Sequence, residues 1–287
     1  MEAGLAGSTI VVTGASGGIG LACAGLLADE GCNLVLQGRG GLAKLELWIA
    51  ARRLESRALA VAADVARETE VESLFAAGAA RFGVLHGCVA SAGIWPSEAR
   101  ALHEESPACI AEVLEVDLVG AVWTARAFQR QVAVRGARGS SLVLIGSTAG
   151  RFGEAGHAAY AVAKAGLRGL MLSYKNEIVR IDPDGRVNLV EPGWTLSPMT
   201  AEALEADAQV TQVARTMALR RIASARDIAA ACVFFLSPLL AAHASGQTLT
   251  LAGGMEGRLL WRGSEIDPAA IRARLRAESG PTGGGTA

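Results

Sequence analysis

The stretch Thr13-Gly14-Ala15-Ser16-Gly17-Gly18-Ile19-Gly20 decides the fold. Ahead of it, Ser8–Thr13 (STIVVT) is short, β-branched and apolar, and reads as a strand. Behind it, Gly18–Glu30 carries Ile19, Ala22, Cys23, Leu26 and Leu27 at helical spacing. A glycine-rich turn between a strand and a helix exposes backbone N–H groups with no side chains in the way, as a pyrophosphate requires. Gly14 suits the tight turn, Gly18 the close approach and Gly20 the packing of helix on strand. A plain tight turn is the competing reading, and the flanking strand and helix weigh against it.

The alternation continues outward. Strands are predicted at Asn33–Gln37, Ala58–Ala62, Leu85–Ala90, Ser140–Ile145, Arg186–Val190 and Thr248–Leu251. Helices are predicted at Leu42–Leu54, Glu68–Arg81, Pro107–Val134, His157–Arg180 and Ser224–Leu236. Ser106-Pro107 and the pair Ser224/Asp227 are helix-start signals, and Asp182-Pro183-Asp184-Gly185 is a turn. Strands alternating with helices imply βαβ units. The expected fold class is α/β, a single-domain, Rossmann-like, doubly wound parallel sheet of about seven strands with helices on both faces. Residues 1–257 form that domain, including a mobile substrate lid at about 197–221 with helical periodicity. Residues 258–287 are expected as a C-terminal extension, with a surface helix at Pro268–Glu278 and a mobile, glycine-rich end at Gly280–Ala287.

Composition narrows the class. The 287 residues are 51% hydrophobic and 19% charged, enough for a large core. A net charge of −1 gives no basic excess for nucleic acid or an anionic membrane surface. Mean hydropathy is high, +0.32, yet spread over short segments, with no apolar run of the roughly 18 residues a membrane span needs. Met1–Gly7 has no secretory pattern. The cysteines, Cys23, Cys32, Cys88, Cys109 and Cys232, are odd in number and form no C-x-x-C pair. They read as small buried hydrophobes in a reducing compartment, and a cytoplasmic protein is expected. His86, His103, His157 and His243 are scattered, so no metal is expected.

The candidate chemistry lies in the second half. Tyr160 precedes Lys164 by four residues, so both share one helix face. An ammonium there favours phenolate and is expected to lower the tyrosine pKa toward neutrality. Ser147 closes a predicted strand, at the carboxyl end where parallel sheets bind ligands. Alone, Y-x-x-x-K is frequent by chance; the strand-end serine and the glycine turn give it weight.

Together these segments resemble the short-chain dehydrogenase/reductase family over about residues 7–255. The likeness rests on TGASGGIG (13–20), Asp64-Val65, the Ala-Gly of ASAG (90–93), Ser147, Tyr160-x-x-x-Lys164, Pro192-Gly193 and SGQTLTLAGG (245–254). It implies Tyr160 as general acid/base, Ser147 orienting the carbonyl oxygen, and Lys164 tuning Tyr160 and holding the nicotinamide ribose. It implies Asp64 and Val65 at the adenine, Ala92 and Gly93 along the cofactor, and Pro192 and Gly193 at the nicotinamide. Ser16, Gly17, Ile19 and Thr195, in the same motifs, complete the expected cofactor set. Two departures stand out. Asp117, in Glu115–Gly120, sits where the family usually has asparagine, and an ionised aspartate only accepts hydrogen bonds. A relay water on Asp117, or a pairing with Lys164 that slows the enzyme or shifts its pH dependence, is expected. Ala90-Ser91 replaces two asparagines that usually brace the sheet, so local rigidity should suffer.

The second strand ends Gln37-Gly38-Arg39, with Gly38 where NAD enzymes of this architecture place an acid. Arg39 suits a 2′-phosphate, so NADP(H) is favoured over NAD(H). Ile94-Trp95, Gly150–His157 and Trp194–Met199 are candidate substrate walls, with Trp95, Phe152, Trp194 and Met199 making them apolar. That points to a small-molecule carbonyl or alcohol partner, medium-sized and largely apolar. His157 reads as a helix-start residue rather than a second acid. Val122, Trp123, Ala127, Leu167, Leu170 and Met171 put apolar groups on more than one helix face, and Ala231–Leu240 is a further apolar run. A homodimer or homotetramer is therefore expected. The alternatives are a non-catalytic dinucleotide-binding sensor or scaffold, and a related epimerase or dehydratase.

Overall fold

The inner strands are buried on both faces, and this accounts for the high mean hydropathy. In the computed structural model, residues 2–279 are described; Gly280–Ala287, expected to be mobile, lies outside them. The strands are β1 (Thr9–Thr13), β2 (Asn33–Gly38), β3 (Ala58–Ala62), β4 (Gly87–Ala90), β5 (Ser141–Ile145), β6 (Arg186–Pro192), β7 (Thr195–Leu196), β8 (Ala223–Ser224) and β9 (Thr248–Leu251). Seven of them form one parallel sheet in the order β3-β2-β1-β4-β5-β6-β9, while β7 and β8 pair separately. Alternate residues of a strand face opposite sides. Ile10, Val12, Leu34 and Leu36 enter one core, whereas Val11, Val35, Leu142 and Leu144 enter the other.

The helices are α1 (Gly18–Asp29), α2 (Leu42–Ala51), α3 (Glu68–Phe82), α4 (Pro107–Leu114), α5 (Gly120–Arg135), α6 (Thr148–Phe152), α7 (Ala158–Ile178), α8 (Asp207–Ala214), α9 (Ala225–Leu236) and α10 (Pro268–Ser279). α1, α2 and α9 cover the first core through Cys23, Leu27, Leu45, Ile49, Ile228 and Phe235. α3, α5 and α7 cover the second through Leu74, Phe75, Phe128, Leu167 and Met171. Ser106 caps α4 with Pro107 in its first turn, and Ser224 and Asp227 form a capping box on α9. In the turn before β6, buried Asp182 accepts from Ser140 N–H and Oγ–H, both at 2.7 Å.

Two expectations are corrected. The continuous helix Pro107–Val134 is interrupted by a π-helical turn, Glu115–Val119, between α4 and α5. Of the apolar residues on more than one face of α5 and α7, Ala127, Leu167 and Met171 cover the sheet inside this chain's own core, with Trp123 and Leu170 packed against it. The exposed apolar groups of α7 are instead Val162 and Leu172. Finally, α10 does more than lie on the surface: Leu275 and Ile271 join Leu204, Val210, Val213, Met217 and Ile222 in a third cluster, next to Trp194 and Met255. Arg272–Asp207 and Arg221–Glu278 ion pairs edge that contact. All five cysteines are free thiols; Cys109 is half-buried and the others buried, and burial pushes the Cys32 thiol up to about 12. Among the described residues no helix is long and apolar enough to cross a membrane, and no group of three His, Cys, Asp or Glu side chains is placed to hold a metal.

Candidate functional site

Strand order reverses between β1 and β4, and the crevice at the carboxyl ends of these strands holds two adjoining cavities. The first, of about 290 Å3, is lined by Gly14, Ser16, Gly17, Gly18, Ile19, Gly20, Arg39, Asp64, Val65, Ala92 and Gly93, all expected cofactor residues. Close backbone approach explains the glycines. A Cβ on Gly20 would lie 2.3 Å from the Gly14 carbonyl oxygen, and Gly14 has φ of +64° with Ala92 Cα 2.7 Å from its missing Cβ. No side chain caps α1 at Gly17, so its first turn is open to a ligand. Backbone donors without side chains, at a helix start, fit a dinucleotide pyrophosphate.

Three side chains brace this turn although the sequence gives no sign of that role. Buried Gln37 accepts from Gly14 N–H at 2.7 Å and donates to the Ala63 carbonyl. Thr13 Oγ1 accepts from Ser91 N–H and Ala92 N–H at 3.2 and 3.3 Å, joining β1 to the segment where the family's asparagines are missing. Lys44 donates to the Ser16 carbonyl at 2.7 Å, adding a cation beside Gly38 and Arg39. Arg39 and Asp64 are 3.9 Å apart, an exposed pairing of little energetic worth.

The second cavity, of about 230 Å3, brings Ser147, Tyr160, Lys164 and Asp117 together with Pro192, Gly193 and Thr195. Ser147 ends the β5 segment and caps α6, accepting from Ala149 N–H at 3.1 Å. Its hydroxyl also lies beside that of Tyr160 and helps to lower the Tyr160 pKa. The Lys164 ammonium lies 5.5 Å from the centre of the Tyr160 ring and donates to the Ile145 carbonyl at 3.3 Å. Asp117 is fixed by the π-helical turn, a feature frequent at functional sites. One Asp117 oxygen accepts from Ile94 N–H at 2.7 Å, and the other is 3.0 Å from Lys164 Nζ, both side chains being buried.

That ion pair is one of the two arrangements expected for Asp117; the expected direction of the Tyr160 shift is corrected, chiefly by burial. Burial pushes the Tyr160 hydroxyl above its ordinary value; Lys164 pulls it back, but Asp117 pushes it further up. The lowering influence read from the i, i+4 spacing exists and is outweighed, first by the burial of Tyr160 and then by the buried carboxylate on the same ammonium. Burial also raises Asp117, and Asp117 holds Lys164 protonated against the cost of its own burial.

The expected walls Trp95, Phe152, Trp194 and Met199 all line the second cavity, with Met255 added from beyond β9. Ile94 lines the first instead. His157 stands at the start of α7, behind the wall, stacked on Trp95 at 4.7 Å. Glu154, three residues earlier, reaches the cavity itself. It lies within the predicted wall 150–157, where an acid six residues before Tyr160 is the available signal.

The family model described as enoyl-(acyl carrier protein) reductase matches residues 14–256. The chain is 35% identical to the cis-4-hydroxycyclohexanecarboxylate dehydrogenase of Sinomonas cyclohexanicum, over 85% of this chain and 94% of that one. It is 34% identical to carbonyl reductase family member 4 of Danio rerio, over 86% and 97%. It is 32% identical to the 3-oxoacyl-[acyl-carrier-protein] reductase of Vibrio cholerae, over 88% and 98%. A crystal structure of a short-chain dehydrogenase/reductase of glucose/ribitol dehydrogenase type from Brucella melitensis superposes with a TM-score of 0.81 at 28% identity, covering 89% of this chain and 99% of that one. A glycine-lined crevice at the strand-order reversal, a Tyr–Lys–Ser group beside it and these relatives converge: the chain belongs to the short-chain dehydrogenase/reductase family, nicotinamide-dependent oxidoreductases acting on CH–OH donors.

Proposed function

We propose that the protein is a carbonyl reductase that interconverts a medium-sized, largely apolar ketone and its secondary alcohol, with NADP(H) preferred. The observation that carries this reading is the hydroxyl pair Ser147–Tyr160, set over the Lys164 ammonium in a cavity walled by Trp95, Phe152, Trp194 and Met199. The glycine turn, Asp64, Val65, Ala92 and Gly93 would hold the dinucleotide, with Pro192, Gly193 and Thr195 at its nicotinamide end. Bound nicotinamide supplies or accepts the hydride. Ser147 holds the substrate oxygen by a hydrogen bond, and Tyr160 gives that oxygen a proton during reduction and removes it during oxidation. Lys164 stabilises the phenolate left behind, and Asp117 moderates Lys164.

NADP(H) preference is supported by the missing acid at Gly38 and the two cations, Arg39 and Lys44, around Ser16. Gly38→Asp is expected to raise the efficiency ratio of NAD over NADP about tenfold or more, although its Cβ would press on Ser16 Oγ at 3.0 Å. Residues 197–221 serve as the lid, and the rest of 1–257 as one catalytic domain. Exposed Val162, Leu172, Phe234 and Leu239 favour a homodimer or homotetramer, which light scattering tests. A cytoplasmic setting agrees with five unpaired thiols. The deciding experiment assays ketones and secondary alcohols with both dinucleotides by absorbance of the reduced nicotinamide. Turnover with NADP(H) supports the reading; binding of dinucleotide without turnover of any substrate would turn it toward a sensor.

A further inference from the structure

The second cavity holds a carboxyl group that the proposed proton transfer does not use. Glu154 lines it together with Tyr160 and Ser147, among Trp95, Phe152, Trp194, Met199 and Met255. The side chain is only 27% exposed and is fixed from two sides. Trp95 flanks its carboxyl and helps to lower its pKa, and Trp95 itself lies between the ring of His157, stacked at 4.7 Å and 17°, and the edge of Trp194 at 6.0 Å. His157 sets the other side. Its Nε2 lies 3.0 Å from the Pro96 carbonyl, an acceptor only, so Nε2 carries a proton. Nδ1 is buried with no hydrogen-bond partner and lies 3.7 Å from Glu154 Oε1. Burial pushes the Glu154 carboxyl up, while His157 and the Trp95 N–H pull it down.

Charge in the cavity is one-sided. Among its lining residues Lys164 is the sole Lys or Arg, and it is committed to Asp117 at 3.0 Å. An anionic substrate would meet two carboxyl groups and no free cation. A substrate hydroxyl or ammonium would meet a held carboxyl with lone pairs to spare in a low-dielectric wall.

We propose that Glu154, positioned by Trp95 and His157, is a specificity-determining second anchor that selects ketones and alcohols bearing a hydroxyl or ammonium group away from the reacting carbon, and disfavours carboxylates. This rests on the carbonyl-reductase reading above. The test is the kcat/KM of the full chain with NADPH for 3- and 4-substituted cyclohexanones bearing hydroxyl, ammonium, methyl or carboxylate groups. The hydroxyl and ammonium ketones are expected to exceed the methyl ketones about 10- to 100-fold, mainly through KM, with the carboxylates lowest. Glu154→Gln should remove most of the ammonium advantage and the carboxylate penalty, and Glu154→Leu the hydroxyl advantage as well. Retained NADPH binding checks that each variant is folded; if one is not, the wild-type order decides. A wild type that treats methyl and hydroxyl ketones alike, or variants that leave the order unchanged, overturns the role of Glu154 while hydride transfer stands. A wild type inert on the whole panel with either dinucleotide removes the reductase reading and this inference with it.

Discussion

The two cavities are built by different means. The first is made of backbone: its glycines are spaced so that a Cβ at Gly14 or Gly20 would strike main-chain atoms, and its braces, Thr13 and Gln37, bond main-chain groups. The second is made of side chains brought from far apart in the chain, from Ile19 to Met255. Its outer edge rests on the small cluster of α8 and α10 rather than on the main sheet. A backbone cradle suits one ligand shared by a whole family. A side-chain pocket can be altered one residue at a time, so substrate choice can change without disturbing the cradle.

Separate perturbation of the two regions tests this contrast. Tyr160→Phe should lower turnover about 10^2- to 10^4-fold with dinucleotide binding intact by fluorescence titration; equal loss of both would mean that the two cavities are not separable. Gly20→Ala acts on the other side. Its Cβ meets backbone, so stability should fall by about 1–3 kcal/mol in thermal unfolding, and dinucleotide affinity should fall with it. A variant with unchanged affinity would disprove the backbone cradle. Asp117→Asn belongs to the boundary between them. Asp117 raises the Tyr160 pKa, so removing its charge lowers that pKa. Alcohol oxidation needs the phenolate, so its rising limb should move to lower pH; ketone reduction needs the phenol, so its falling limb should move the same way. Rates at the optimum should change by less than about tenfold, and an unmoved pH–rate profile would show that the ion pair does not reach Tyr160. The smallest effect is expected from Leu275→Ala in α10. KM for the ketone should rise about three- to tenfold with dinucleotide affinity unchanged, as the surface under the lid loosens.

The same contrast explains what the sequence reveals. Strands β3 and β9 have their predicted bounds, and α1 and α9 start at their predicted signals, because period, caps and glycine turns are local. Asp117 is visible as a departure from the family, with Lys164 as one of its two expected partners; the choice between that ion pair and a relay water depends on a contact across two elements and on the π-helical turn, which leaves no composition signature. The direction of the Tyr160 shift is hidden for the same reason, since the spacing to Lys164 is local and the competing burial and carboxylate are not. Gln37 and Glu154 read as ordinary polar residues until the chain brings Gly14 and Trp95 against them. The packing of α10 is equally nonlocal, because nothing near Leu275 in sequence names Val210 or Met217 as its neighbours.

The widened turn at Glu115–Val119 has one more consequence. Each residue advances an α-helix by about 100°. A π turn takes up one residue more than an α turn, so deleting exposed Glu115 would leave the caps, the strands and both hydrophobic faces with their side chains and let the turn close to α geometry, yet would change the direction in which Asp117 projects. Length, rather than any one side chain, thus keeps Asp117 aimed at Lys164, and a one-codon loss at this point would misalign the site as thoroughly as losing the aspartate.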